Sequence, residues 1–111
     1  GISYMKPADL CIVFSNLVDN AIEAAEQSVK KEIGIKVTQS REYCLCVIGN
    51  TVKEKVIATE GILTTTKGDA KNHGIGLQNV KDILEKYSAE PEFESEEKYF
   101  KVKILFKKQE N

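Results

Sequence analysis

The chain has 111 residues, of which 41% are hydrophobic and 30% are charged, as in an ordinary soluble globular domain. Its 16 basic and 17 acidic residues nearly cancel, so the overall charge gives no reason to expect a nucleic-acid partner or direct membrane contact. No apolar run reaches the roughly 18 residues of a membrane span, and the N-terminus lacks a signal-peptide pattern. We expect a single cytoplasmic domain over residues 1–111. Its abrupt start suggests a fragment of a longer, membrane-anchored parent.

The first predicted element is a long helix from Pro7 to about Lys30. Apolar residues recur along one stripe at helical spacing, namely Leu10, Val13, Phe14, Leu17, Ala21, Ala24 and Ala25. At about 100° per residue, with Val13 at zero, Asn16 and Asn20 fall at roughly 300° and 340°, on the rim of the stripe. Glu23 continues the line of the asparagines by one turn.

Two asparagines in register on a helix have a structural and a functional interpretation. Each carboxamide could simply satisfy nearby backbone groups. Asparagine is only a middling helix former, so a pair of them carries a cost that alanines would not. Carboxamide oxygens are also suitable ligands for a hard cation such as magnesium. The helix alone leaves both interpretations open.

A β-hairpin is predicted next, because residues 32–40 and 42–50 alternate or are rich in β-branched side chains around a polar turn. Cys44 and Cys46 share a face of the second strand and are interpreted as small apolar residues. A zinc site is disfavoured, since it needs about four ligands and His73 is the only histidine. Three cysteines fit a reducing compartment. From Thr51 to His73 the periodicity vanishes, which predicts a loop without structure of its own that is either functional or disordered.

A second helix is predicted over residues 74–90, ending before Pro91, and residues 92–97 and 98–108 predict a closing hairpin. Helices and hairpins in separate blocks predict an α+β fold. We expect a two-layer sandwich with one mixed, mostly antiparallel sheet and both helices on a single face.

The entry to the second helix is rich in glycine, threonine and lysine. Gly74 and Gly76 flank one apolar residue where the helix begins, so the backbone amides there could bind an anion. Lys67 and Lys71 supply positive charge and Thr64–Thr66 supply hydroxyls, which makes phosphate the natural candidate. The glycines could equally make only a tight helix entry. The pattern is neither a P-loop nor a dinucleotide fingerprint.

These two motifs together resemble a known family. The stretch NLVDNAIEAA (residues 16–25) matches an asparagine box, while TTK (residues 65–67) and HGIGLQNV (residues 73–80) match a lid and a last glycine box. The chain resembles the ATP-binding catalytic domain of bacterial sensor histidine kinases, in the GHKL superfamily of gyrase, heat-shock chaperone and mismatch-repair ATPases. It is most similar to the subset in quorum-sensing peptide receptors. The resemblance covers essentially the whole chain and implies a Bergerat-type ATP-binding fold.

The resemblance also implies roles for individual residues. Asn20 would ligate a magnesium ion that bridges the phosphates of ATP, with Asn16 in the phosphate site. In hydrolysing relatives the position matching Asn16 is a glutamate that activates water, and asparagine lacks that basicity, so transfer to an acceptor is favoured over hydrolysis. The implied catalytic residues are Asn16, Asn20 and Lys67. The implied nucleotide-binding residues are Asn16, Asn20, Glu23, Asn50, Thr65, Thr66, Lys67, His73, Gly74, Ile75, Gly76 and Leu77.

One position departs from the family pattern. Most relatives recognise the adenine amino group with an aspartate in an Asp-x-Gly-x-Gly motif, whereas Asn50 occupies the corresponding strand end in VIGNTVKEK (residues 47–55). An asparagine can accept a hydrogen bond from the exocyclic amine and donate one to a ring nitrogen. The peptide-receptor subset is known for asparagine at this place. We therefore expect Asn50 to bind adenine.

The implied function is phosphoryl transfer from magnesium-bound ATP to a histidine on a separate dimerisation domain of the same parent. That parent would be a homodimer that passes the phosphate to a response regulator in a two-component system. Two alternatives remain. The first is a serine kinase of the anti-sigma-factor type with the same fold, which an intact standalone chain would indicate. The second is a non-catalytic interaction module gated by nucleotide, which the asparagine at position 50 keeps open.

Overall fold

A computed structural model describes residues 5–59, 62–65 and 74–107 of the chain. Two helices and six strands lie within these ranges. Their bounds, in chain order, are α1 Pro7–Glu26, β1 Ile33–Gln39, β2 Tyr43–Thr51, β3 Val56–Thr59, β4 Ile62–Thr65, α2 Gly74–Glu85, β5 Pro91–Ser95 and β6 Tyr99–Lys107. The predicted hairpins over residues 32–50 and 92–108 are thus confirmed as β1–β2 and β5–β6.

Four of the strands form one sheet in the order β1-β2-β6-β5, and every neighbouring pair in it is antiparallel. Ile48 in β2 lies opposite Ile35 in β1 and Val102 in β6. Residues opposite each other in a ladder share a face of the sheet, so this register sets which side chains point the same way. The described sheet is antiparallel throughout, without the parallel strand that a mixed sheet would contain.

The core lies between this sheet and the two helices. Alternate residues of β2 and β6 are buried on one face, namely Cys46, Ile48, Phe100, Val102, Ile104 and Phe106. They form one hydrophobic cluster with residues of both helices, namely Val13, Leu17 and Ala21 of α1 and Val80, Ile83 and Leu84 of α2. Leu10 was predicted in the buried stripe but is 36% exposed, so the stripe begins at Val13. The predicted α+β sandwich with both helices on one face is confirmed.

Helix α1 is shorter at its C-terminus than the periodicity predicts. It begins at Pro7 as expected but ends at Glu26 rather than near Lys30. The Ser28 hydroxyl donates a hydrogen bond to the carbonyl of Ala25 at 2.7 Å, and Lys31 has a φ of 54°. A serine that bonds its own backbone competes with helix continuation, and a left-handed residue redirects the chain. The chain therefore turns towards β1 earlier than the apolar spacing indicates.

Helix α2 ends in a Schellman motif at Ser88. The Ser88 amide donates to the carbonyl of Glu85 at 3.1 Å, and the Ala89 amide donates to the carbonyl of Leu84 at 3.0 Å. Ser88 has a φ of 56°, a conformation that glycine usually provides in this motif. Because these bonds satisfy the last carbonyls, the helix stops several residues before Pro91.

The stretch from Thr51 to His73 is not the structureless loop that the sequence predicts. Strands β3 and β4 form a short hairpin in it, with Val56 opposite Thr65 and Thr59 opposite Ile62. Each strand has only four residues, too few for a period-two pattern to stand out. Their isoleucine, valine and threonine content nevertheless favours strands.

Strand β1 is the exposed edge of the four-stranded sheet. All seven of its residues are exposed. The helix-facing side of β1 carries Ile33, Ile35 and Val37, because their partners in β2 are the inward-facing residues. These three side chains are nevertheless 40%, 56% and 59% exposed, respectively. Strand β1 therefore adds no buried residue to the described core.

Gly49 in β2 leaves room for the ring of Tyr99 on the sheet face away from the helices. A Cβ at position 49 would lie 2.6 Å from Tyr99 Oη and 2.7 Å from Tyr99 Cε2. We expect Gly49→Ala to displace the ring and lower the free energy of unfolding by about 1–2 kcal/mol, measured by urea denaturation. The matched control is Gly34→Ala, whose Cβ would meet Tyr99 Oη at an ordinary 3.4 Å. Equal effects of the two substitutions would contradict this explanation.

Candidate functional site

Asn16 and Asn20 lie on the side of α1 that faces α2. Asp9 is on the same side of α1. Asn16 and Asn20 follow it by seven and eleven positions, and at about 100° per residue both return to within about 20° of the direction of Asp9. Asp9 Oδ2 accepts a hydrogen bond from the hydroxyl of Tyr87, just after α2, at 2.5 Å. This bond is the main cause that raises the pKa of Tyr87 above its ordinary value. Both asparagines are half-buried, as their place on the rim predicts.

The Asp9–Tyr87 contact also gives the relative direction of the helices. It joins the end of α2 to the beginning of α1, and the two helices pack against each other, so they run antiparallel. At 1.5 Å per residue, Gly74 lies roughly 20 Å before Tyr87, and Asn20 lies roughly 17 Å after Asp9. The beginning of α2 therefore lies towards the C-terminal half of α1, which carries Asn20.

One carboxamide atom of Asn20 is buried without a partner. Its Nδ2 is shielded from solvent and makes no hydrogen bond to any residue that the structure describes. Buried polar side-chain atoms are nearly always paired, so an unpaired one is a candidate position for a ligand. The two ends of a carboxamide are distinguished by their hydrogen bonds, so with no partner to decide, the oxygen can occupy the same place.

These residues fit a magnesium ion that is bound together with nucleotide. Magnesium takes oxygen ligands, and in nucleotide sites it is held by a few protein groups, water and phosphate oxygens. Asn20 offers one carboxamide oxygen beside the start of α2. Within residues 5–59, 62–65 and 74–107, no three His, Cys, Asp or Glu side chains form a metal-binding group. Of the predicted site residues, Asn20 would hold the ion through its carboxamide oxygen, together with phosphate and water.

Asn50 is a third carboxamide at the same end of the domain. It is only 4% exposed and lies on the inward face of β2, opposite Phe100. The end of β2 lies beside the end of α1, since Ser28 Oγ and Thr51 Oγ1 are 2.7 Å apart. Asn50 Nδ2 donates to the carbonyl of Thr51 at 3.0 Å. This leaves Oδ1 as the acceptor that Asn50 can offer to a ligand.

The remaining predicted site residues fall into two groups. Gly74–Leu77 form the first turn of α2, so the helix begins where the glycine pattern predicts. Thr65 is the last residue of β4, and Glu23 is exposed on α1, one turn beyond Asn20. The rest lie outside the described residues, and their predicted roles stay predictions: Thr66, Lys67 and His73.

Sequence reasoning missed a pair of buried hydroxyls beside Asn50. Ser28 Oγ donates to the carbonyl of Ala25 at 2.7 Å and accepts from the amide of Lys31 at 3.0 Å. Thr51 Oγ1 accepts from the amide of Glu32 at 2.9 Å. In the sequence these residues are only a threonine at the end of an apolar strand and a serine at the end of a helix. No sequence motif indicates that the two hydroxyls lie together. The cluster ties the ends of α1 and β2 to the beginning of β1.

Comparison with known proteins agrees with this architecture. A family model described as "GHKL domain" matches residues 5–107. A search of curated proteins gives no match. No helix in the described part of the chain is both long and apolar enough to cross a bilayer. With its two helices on a four-stranded antiparallel sheet, the chain belongs to the GHKL domain family, whose members are ATP-binding kinases and ATPases.

Proposed function

We propose that this domain binds magnesium-ATP and transfers the γ-phosphoryl group to a histidine on a separate dimerisation domain of the same parent. The observation that carries the proposal is the buried carboxamide nitrogen of Asn20, which has no partner in the described part of the chain. In the proposed site this atom would lie near the first turn of α2, where the backbone amides of Gly74–Leu77 are not used within the helix and suit phosphate oxygens. An unpaired polar atom beside an anion-binding helix end is what a metal–phosphate ligand requires.

Phosphoryl transfer needs positioning and charge neutralisation more than covalent chemistry from the protein. Magnesium, when bound, neutralises phosphate charge. The amides at the start of α2 would orient the phosphate chain, and Lys67, in its predicted role, would neutralise part of its charge. Asn16 carries a neutral carboxamide that cannot remove a proton from water at neutral pH. A site built this way favours transfer to a supplied histidine over hydrolysis.

The buried Asn50 supports adenine as the base. Its Nδ2 is already bonded to the Thr51 carbonyl, so its Oδ1 is the group presented to a ligand. An amide oxygen accepts from the exocyclic amine of adenine, whereas guanine carries a carbonyl oxygen at the equivalent position. The domain should therefore prefer ATP to GTP.

The larger setting is also part of the proposal. The parent would be a homodimeric, membrane-anchored sensor histidine kinase of a two-component system, similar to the quorum-sensing peptide receptors. This domain would work in the cytoplasm, and the phosphate would pass from the acceptor histidine to a response regulator. The support is the combination of the asparagine box, the HGIGLQNV motif and Asn50 within a GHKL domain.

Calorimetric titration of the 111-residue chain with a non-hydrolysable ATP analogue tests nucleotide binding. We expect saturable binding that weakens about tenfold or more without magnesium, since the phosphates then lose a bridging cation. Absence of binding at millimolar nucleotide would refute the proposal.

Transfer is tested by adding the parent's dimerisation domain and ATP labelled on the γ-phosphate. We expect label on that domain that is lost in acid and retained in base, as for phosphohistidine. A dimerisation domain whose acceptor histidine is replaced by glutamine is the control. Acid-stable label on serine would support the serine-kinase alternative, and ATP binding with no transfer would support the nucleotide-gated module.

A further inference from the structure

We propose that Thr51 is a positioning residue that holds the Asn50 carboxamide in the orientation that selects adenine. The inference rests on the proposed function, because it concerns how the base is recognised. The supporting feature is an irregular hydrogen bond at the end of the β1–β2 ladder, in which the side-chain hydroxyl of Thr51 is the acceptor in place of a backbone carbonyl.

Thr51 and Glu32 lie opposite each other, one position beyond the Ile33–Asn50 pair. In a hydrogen-bonded antiparallel pair, each residue donates its amide to the carbonyl of the other. The Thr51 amide does donate to the Glu32 carbonyl, at 2.9 Å. The Glu32 amide, however, donates to Thr51 Oγ1 at 2.9 Å. The hydroxyl thus replaces the carbonyl of Thr51 as the ladder acceptor.

The carbonyl of Thr51, released from the ladder, accepts the hydrogen bond from Asn50 Nδ2 at 3.0 Å. A carboxamide can rotate so that its donor and acceptor ends exchange places. A carbonyl can only accept, so it stabilises the orientation in which Nδ2 faces it. Oδ1 then faces the other way, as an acceptor for the adenine amine.

The Thr51 hydroxyl donates its proton to Ser28 and keeps its lone pairs for the Glu32 amide. Because Ser28 uses its proton on the Ala25 carbonyl at 2.7 Å, the hydrogen bond of 2.7 Å between the two hydroxyls is donated by Thr51. Thr51 Oγ1 is then left with lone pairs for the Glu32 amide. The Glu32 carbonyl, at 3.3 Å, is the weaker alternative acceptor for the Thr51 proton. Both the donor and the acceptor of the threonine hydroxyl are therefore in use.

Replacing Thr51 by valine keeps the shape of the side chain but removes the hydroxyl. The Glu32 amide is then left with the carbonyl of residue 51 as its ladder partner, and drawing that carbonyl into the ladder would weaken its bond to Asn50 Nδ2. We expect the ratio of ATP to GTP affinity to fall about five- to tenfold, the equivalent of one ordinary hydrogen bond, with tripolyphosphate affinity unchanged. Calorimetric titration with the three ligands measures both quantities.

Two further variants separate positioning from stability. Thr51→Ser retains a hydroxyl and should keep the wild-type ratio of affinities. Ser28→Ala removes a hydrogen bond from the same cluster but leaves the Thr51 hydroxyl with the Glu32 amide, so it should lower Tm and keep the ratio. If Thr51 were merely structural, Thr51→Val and Ser28→Ala would change the ratio alike, and that result would overturn the proposal.

An equal loss of ATP and tripolyphosphate affinity in Thr51→Val, or an unchanged ratio, would also overturn it. Side-chain amide NMR of Asn50 gives a readout that needs neither nucleotide nor a folded valine variant. In the wild-type chain and in Thr51→Ser, one Nδ2 hydrogen should exchange slowly with solvent. Rapid exchange of both hydrogens in the wild type would refute the orientation. If the wild type bound no nucleotide, the proposed function would be refuted. The exchange rates of the Asn50 Nδ2 hydrogens would then still test the proposed orientation of the carboxamide.

Discussion

Asn20→Ala should weaken binding of magnesium-ATP by about tenfold or more and remove most of its dependence on magnesium. The substitution deletes a carboxamide with a buried atom that has no partner among the residues that the structure describes. Because alanine is the better helix former and leaves no unpaired polar atom, the free energy of unfolding should stay equal or rise by about 0.5–1 kcal/mol. Calorimetry with and without magnesium, together with thermal melting, measures both effects.

Two variants control this experiment. Ser15→Ala changes an exposed residue on another side of α1 and should leave nucleotide affinity unchanged. Asn20→Asp keeps an oxygen ligand in place and should retain magnesium dependence. Unchanged affinity in Asn20→Ala, or an equal loss in Ser15→Ala, would show that the buried carboxamide is not a ligand. A site residue whose removal weakens binding but not folding is difficult to explain by a structural role.

Leu84→Ala should have the largest effect on stability, a loss of about 2–5 kcal/mol in the free energy of unfolding. Leu84 is fully buried, at 0% exposure, in the cluster that joins both helices to the sheet. The alanine removes packed methyl groups and leaves a cavity. Since small domains are stable by only about 5–15 kcal/mol, the variant should unfold at much lower urea concentration, which circular dichroism follows.

Leu105→Ala is the matched control for this substitution. Leu105 lies in β6 on the face away from the helices and is 44% exposed. Its truncation removes the same atoms from a partly solvated site and should cost about 1 kcal/mol or less. If Leu105→Ala lowered the free energy of unfolding as much as Leu84→Ala, burial in the helix–sheet core would not explain the effect of Leu84→Ala.

The parts of the fold that depend on long periodic patterns could be predicted from the sequence. Helix α1 and strands β2 and β6 carry regular apolar spacing, and their existence, type and buried faces follow from it. The glycine pattern likewise predicts the beginning of α2 at Gly74, and helical spacing predicts Asn16 and Asn20 on the rim of α1. Each of these predictions uses only the residues of the element itself, and requires of the rest of the protein only that it supply an apolar surface for the element to pack against.

What could not be predicted depends on contacts between distant residues or on very short elements. Strands β3 and β4 have four residues each and no clear alternation. The antiparallel arrangement of the helices is seen only from contacts between distant residues, such as Asp9 and Tyr87, which are 78 positions apart. The sequence also cannot predict that the Thr51 hydroxyl accepts the hydrogen bond from the Glu32 amide, because only the register of β1 and β2 in the folded chain brings the two groups together.

The open edge of β1 has a consequence for local unfolding. Among the described strands only β2 holds β1, whose side chains are all exposed, so β1 can separate from the sheet at a smaller cost in free energy than β2 or β6. Its first bonds, however, run from Glu32 to Thr51, whose carbonyl binds Asn50. On the proposed function, a base bound at Asn50 and the closed position of β1 would therefore stabilise each other, and by reciprocity each opening of this strand would lower the affinity for nucleotide.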